Sequence, residues 1–119
     1  MKRIVGASIG IAVLLIATMA RAEDKVQQGN ALFSSQKCVL CHSAAGKGNK
    51  KGSLDDVANK LKADEIRAWL TSPEAMREKT KATRTPAMKD PKLTKDQQDA
   101  LVAFLLTQKG GTATAGNER

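Results

Sequence analysis

The chain has few of the side chains from which metal centres and acid–base active sites are usually assembled. It has one histidine, two cysteines and no tyrosine in 119 residues. A structural zinc site takes four nitrogen or sulfur ligands. Cys38, Cys41 and His42 supply only three. There is no second imidazole to relay a proton and no pair of carboxylates at useful spacing, so acid–base catalysis has little to work with. Aromatics are almost absent: Phe33, Trp69 and Phe104 are all there are. That scarcity counts against a nucleic-acid platform, which stacks bases on aromatic rings beside its basic groups. It also leaves a small core short of bulk.

What the chain does have is Cys38-Val39-Leu40-Cys41-His42. Two cysteines around two residues, with histidine next, is the spacing of a c-type haem attachment site. Each thiol adds across one haem vinyl group, and one helical turn holds the two thiols at about the separation of the vinyls. His42 then lies under the ring plane, where its imidazole reaches the iron as proximal ligand. Two other readings stay open. A redox-active C-x-x-C needs a βαβ context, and no strand pattern lies near it. A plain Cys38–Cys41 disulfide leaves His42 unexplained.

With Thr85-Pro86-Ala87-Met88 and Ala100-Leu101-Val102-Ala103-Phe104-Leu105 added, the chain resembles a small class I c-type cytochrome. The resemblance is sharp at the haem motif, looser elsewhere, and covers most of the chain after residue 25. It implies an all-α cytochrome c fold, with N- and C-terminal helices crossing around one covalent haem c. It also implies that Gly29 and Phe33 pack on the last helix near Leu101 and Phe104. A backbone carbonyl of the loop after His42 is implied to accept the other imidazole proton. Such cytochromes often carry a proline before the Leu54 position; here the residues are Gly52-Ser53-Leu54, so the accepting carbonyl is not identified. The resemblance further implies a methionine as sixth ligand. Met88 is chosen, because Pro86 stiffens an extended loop that can carry a side chain across the haem face. Met76 is the alternative, but it lies in an expected helix, where methionine more often fills core gaps. Trp69 is either a haem propionate contact, as in some of these cytochromes, or an edge tryptophan bonded to backbone or water.

The N-terminus carries a different signal. Lys2 and Arg3 are followed by an apolar stretch over residues 4–19 and by Ala20-Arg21-Ala22. These are the parts of a secretory signal peptide, residues 1–22, cleaved after Ala22. The rival is an uncleaved anchor, for which the run is short of the roughly 20 residues a span needs. Cleavage leaves 97 residues, enough for one small domain that benefits from a staple. The formal charge of +8 falls to +5, and to about +3 with both propionates ionised. Domain boundaries are set at 23–109, with 110–119 as a polar, disordered tail.

Helices are expected over 23–36, weakly over 55–61, and over 63–71. The last has Ile66, Trp69 and Leu70 on one inward face. Glu23 and Asp24 suit the start of the first helix. Ser72 and Pro73 open a short further helix. Thr94 and Gln97 form a capping box for the last, which stops at Gly110-Gly111. Three glycines mark residues 43–52 as a loop.

The function expected is one-electron transfer between periplasmic redox partners, not enzymatic turnover. Lys37, Lys47, Lys50, Lys51, Lys79, Lys81, Arg84, Lys89 and Lys92 flank the haem-bearing segments and suit an acidic protein partner, or a peripheral membrane contact. A merely solvated surface is equally open. No nucleic acid and no small-molecule substrate are expected. The alternatives are a haem ligand sensor or peroxidase-like protein with an open distal site, and a cytochrome subunit of a larger oxidoreductase.

Overall fold

The computed structural model describes residues 7–110, with side chains from residue 20 onward. Among the described residues five helices dominate: α1 (Ala7–Ser35), α2 (Val57–Lys60), α3 (Ala63–Thr71), α4 (Pro73–Thr80) and α5 (Lys95–Leu105). Two short 3₁₀ turns, Cys38–Leu40 and Lys50–Gly52, lie between α1 and α2. They flank a two-residue antiparallel pair, β1 (Ser43–Ala44) and β2 (Lys47–Gly48). This small hairpin stands where a plain loop was expected. Ala45 at φ 51° and Gly46 at φ 77° make its reversal.

The first helix departs from expectation at its start. In the full chain α1 runs unbroken through Ala20-Arg21-Ala22, so Glu23 and Asp24 lie in its interior and its first turn carries no acidic residue. Alanine, leucine and isoleucine upstream are helix-compatible, and no proline interrupts them. Among the described residues no helix is long and apolar enough to cross a membrane. The basic start at Lys2 and Arg3 lies outside the described residues, as does the tail beyond Gly110.

The core forms where α1 meets α5. Phe33 and Leu101 are each 1% exposed, and Phe104, Leu105 and Val102 join them from α5. Phe33 and Phe104 meet at a ring-centroid distance of 5.8 Å and an interplanar angle of 56°, a tilted pair that adds to simple burial. Gly29 permits this approach. A Cβ there would strike the Ala100 carbonyl and the Phe104 Cβ. Gly29 costs α1 about 1 kcal/mol of helix propensity relative to alanine, and it permits the backbones to touch.

The remaining helices build on that pair. Ile66 and Leu70 of α3 enter the same core. Arg67 Nη2 donates to Asp99 Oδ1 at 2.6 Å, and Lys95 Nζ donates to Asp99 Oδ2 at 3.0 Å, so one carboxylate joins α3 to α5. The Lys25 ammonium of α1 stands 4.0 Å from the same carboxylate. The capping box at α5 is present. Gln97 N donates to Thr94 Oγ1, and Thr94 N donates to Gln97 Oε1. Pro73 opens α4 as expected, but the Ser72 side chain makes no capping bond.

The last helix ends at Leu105, five residues before the expected glycine stop. Tertiary bonds account for this. Gln108 Oε1 accepts from Ala45 N, the Gln108 carbonyl accepts from Ala58 N, and Gly110 N donates to Asp55 O. The chain leaves the helix to tie the hairpin and α2 to the C-terminal end of α5.

Candidate functional site

Cys38 opens the 3₁₀ turn directly after α1, and Lys37 before it adopts a left-handed φ of 62° that turns the chain out of the helix. The Cys38 carbonyl accepts from both Cys41 N at 3.1 Å and His42 N at 2.9 Å. That double acceptance closes one tight turn and sets both thiols and the imidazole on one short segment. Cys38 is partly buried and Cys41 exposed, and neither is in a disulfide. Burial pushes the Cys38 thiol up, opposed by a backbone hydrogen bond and helped by the neighbouring Cys41. Cys38 is therefore not a lowered thiol of the kind that drives C-x-x-C redox exchange.

The His42 ring is fixed by the loop that follows. Its Nδ1 lies 3.0 Å from the Gly52 carbonyl oxygen. A carbonyl only accepts, so Nδ1 carries the proton and Nε2 is left with its lone pair. This is the tautomer a metal-binding imidazole needs, with the second nitrogen held by a backbone acceptor. Burial pushes the imidazole pKa below its usual 6.5; the bond to Gly52 opposes that shift, and the Arg84 charge adds to it. Gly52 is placed where no side chain fits, because a Cβ would strike the Cys41 carbonyl and the Arg84 guanidinium. Asn49 anchors the same loop. Its N–H donates to Val39 O and His42 O, and its side chain donates to Leu40 O at 3.2 Å and accepts from Lys51 N.

The two methionines sit differently. Met76 is 7% exposed within α4, the environment of a core residue. Met88 lies on the irregular segment between α4 and α5 and packs, partly buried, against the core cluster. Trp69 is half-buried on α3, and its indole N–H has no acceptor among the described residues. Leu40, between the two cysteines, is 66% exposed. Among the described residues no group of three or more histidine, cysteine, aspartate or glutamate side chains is placed to hold a bare metal ion. The donors present are two free thiols, one oriented imidazole and thioethers, which suit a thioether-linked porphyrin with nitrogen and sulfur axial ligands.

Sequence reasoning reached Cys38, Cys41 and His42 through their spacing. It did not reach Gly52, because the carbonyl that meets Nδ1 depends on how residues 43–52 fold. It grouped Arg84 with surface lysines, and only the fold brings that guanidinium against Gly52. Gln108 and Asp99 were also missed: Asp99 shows only its i, i+4 spacing from Lys95, whereas its bond to Arg67 and the bonds of Gln108 to Ala45 and Ala58 cross more than 30 residues of sequence.

No curated protein and no solved structure matches the chain. The family model described as Cytochrome c matches residues 26–109, which takes in the site residues, the C-terminal end of α1 and all of α5. The chain therefore belongs to the cytochrome c family, and its cofactor is a covalently bound haem c.

Proposed function

We propose that the protein is a one-electron carrier of the periplasm, exported by cleavage after Ala22, and not an enzyme. The observation that carries this reading is the His42 Nδ1 bond to Gly52 O beside two free thiols at attachment spacing. Cys38 and Cys41 would hold the haem as thioethers, and His42 Nε2 and the Met88 thioether would be its iron ligands. When bound, haem iron supplies the reversible one-electron couple. A thioether ligand from Met88 would favour the reduced state and leave no place for oxygen or peroxide. His42 keeps one tautomer throughout, because Gly52 O holds its proton.

Met88 is preferred to Met76 because it stands on an irregular segment, whereas Met76 is packed inside α4. For Trp69 two readings stand, a haem propionate contact or an edge indole bonded to water, and both fit a half-buried indole whose N–H no protein acceptor takes among the described residues. The partners are acidic redox proteins. Lys37, Lys47, Lys50 and Lys51 are exposed around Leu40 and Cys41, and support docking there. Steering by such charges raises the association rate and weakens with salt. An electron-transfer rate that rises on adding salt would reject it.

The decisive experiment for the carrier reading is carbon monoxide binding to the reduced, haem-loaded protein. A closed iron gives slow or negligible binding. Rapid, stoichiometric binding would replace this reading with the sensor or peroxidase-like alternative.

A further inference from the structure

We propose that Arg84 is a positioning residue that ties the methionine loop to the histidine loop and holds an uncompensated positive charge beside the axial imidazole. The inference rests on the His42/Met88 reading above and adds to it a physical link between the two ligand-bearing segments.

Arg84 lies four residues before Met88, on the irregular chain between α4 and α5. Its guanidinium reaches back to the other side of the site. The Nη1 and Cζ atoms occupy the space where a Cβ on Gly52 would stand. The carbonyl of that same residue accepts the His42 Nδ1 proton. One side chain of the methionine segment therefore rests on the residue that orients the histidine. The contact needs glycine at position 52 and a flat cation at position 84. A guanidinium is planar and weakly hydrated, and lies against a peptide face, whereas an ammonium on a flexible stem does not.

The charge is not neutralised. Arg84 makes no ion pair with a carboxylate among the described residues, in contrast to Arg67, which is paired with Asp99. An unpaired guanidinium beside the residue that orients His42 would disfavour the gain of positive charge on oxidation of a bound iron, so Arg84 would favour the reduced state. The start of the strap is itself held: Arg77 Nε donates to Ala82 O at 3.1 Å, which fixes where the chain leaves α4.

Two variants separate the tie from the charge, both made in the full-length, haem-loaded protein. Arg84→Lys keeps the charge and loses the planar contact. Arg84→Gln loses the charge as well. The first readout is the temperature at which the near-infrared sulfur-to-iron band of the oxidised protein disappears, set against helix melting by far-ultraviolet circular dichroism. The second is the reduced-to-oxidised ratio at a fixed solution potential. In Arg84→Lys the band is lost at a lower temperature than in the wild type, while helix melting and the ratio are unchanged. In Arg84→Gln the ratio also falls, by about threefold. Band loss at the wild-type temperature in Arg84→Lys overturns the tie, and so does a parallel fall in helix melting. An unshifted ratio in Arg84→Gln overturns the role of the charge. A wild-type protein without the band overturns the methionine ligation and this inference together, so the two failures are distinguishable.

Discussion

The contact between α1 and α5 and the loops that carry the proposed ligands are held by different forces. The helix pair is dry. Phe33, Leu101 and Phe104 are buried, and a glycine lets the backbones meet. The loops around Cys38, Gly52 and Met88 are largely exposed or half-exposed, and backbone carbonyls hold them: Cys38 O, Gly52 O and Val39 O all accept bonds that shape the turn. The helix pair supplies stability and tolerates few changes of volume. The loops contribute little apolar burial of their own, so their geometry depends on a few hydrogen bonds and on the macrocycle they enclose. Substitutions in the first region should therefore act on folding, and those in the second on the iron.

The sharpest break of this comparison comes from Gly29→Val. Its Cβ would meet the Ala100 carbonyl, which cannot move without α5 moving. The expected loss is about 3 kcal/mol in denaturant unfolding, with the reduction potential of the surviving folded protein unchanged. Gly52→Ala is the counterpart in the loops. Its Cβ meets the Cys41 carbonyl and the Arg84 guanidinium, so the His42 acceptor must shift. A smaller loss, about 1–2 kcal/mol, should come with a changed potential. If Gly52→Ala leaves the potential untouched while Gly29→Val alters it, the division between the two regions is wrong.

The smallest effect lies in a pH dependence at the helices. Asp99 is held below the usual 3.8 by its bonds to Lys95 and then Arg67. A carboxyl with a lowered folded pKa binds fewer protons folded than unfolded, so stability rises with pH between the two values. Its contribution is complete above 3.8 and is lost as pH falls from there through the folded value. Acid unfolding of Asp99→Asn should lack that part of the slope, and an unchanged acid limb would mean that the three-helix ion pair carries no linkage.

The sequence made the helix pair legible because its signals are local and periodic. Phe33, Leu101 and Phe104 fall at helical spacing, and the α5 start was marked by Thr94 and Gln97. The attachment motif was legible for the same reason: five consecutive residues carry it. The end of α5 was misread, because Gly110 looks like a stop signal, whereas the helix yields at Leu105 to the bonds of Gln108 with Ala45 and Ala58. Ser72 had the right chemistry for a cap, but at φ −143° and ψ 61° its hydroxyl takes no backbone N–H of α4. The acceptor for His42 could not be read, since any carbonyl of residues 43–52 is chemically equivalent until the hairpin and the second 3₁₀ turn place Gly52. The hairpin itself has no alternating pattern, and Ala45, Gly46 and Gly48 all take positive φ.

The central claim is an iron closed on both faces by His42 and Met88, and the near-infrared absorption of the oxidised, haem-loaded protein tests it most directly. The account predicts a weak sulfur-to-iron band in the wild type that survives in Met76→Ala and vanishes in Met88→Ala. A band that persists in Met88→Ala, or is lost in Met76→Ala with the fold intact, would contradict it.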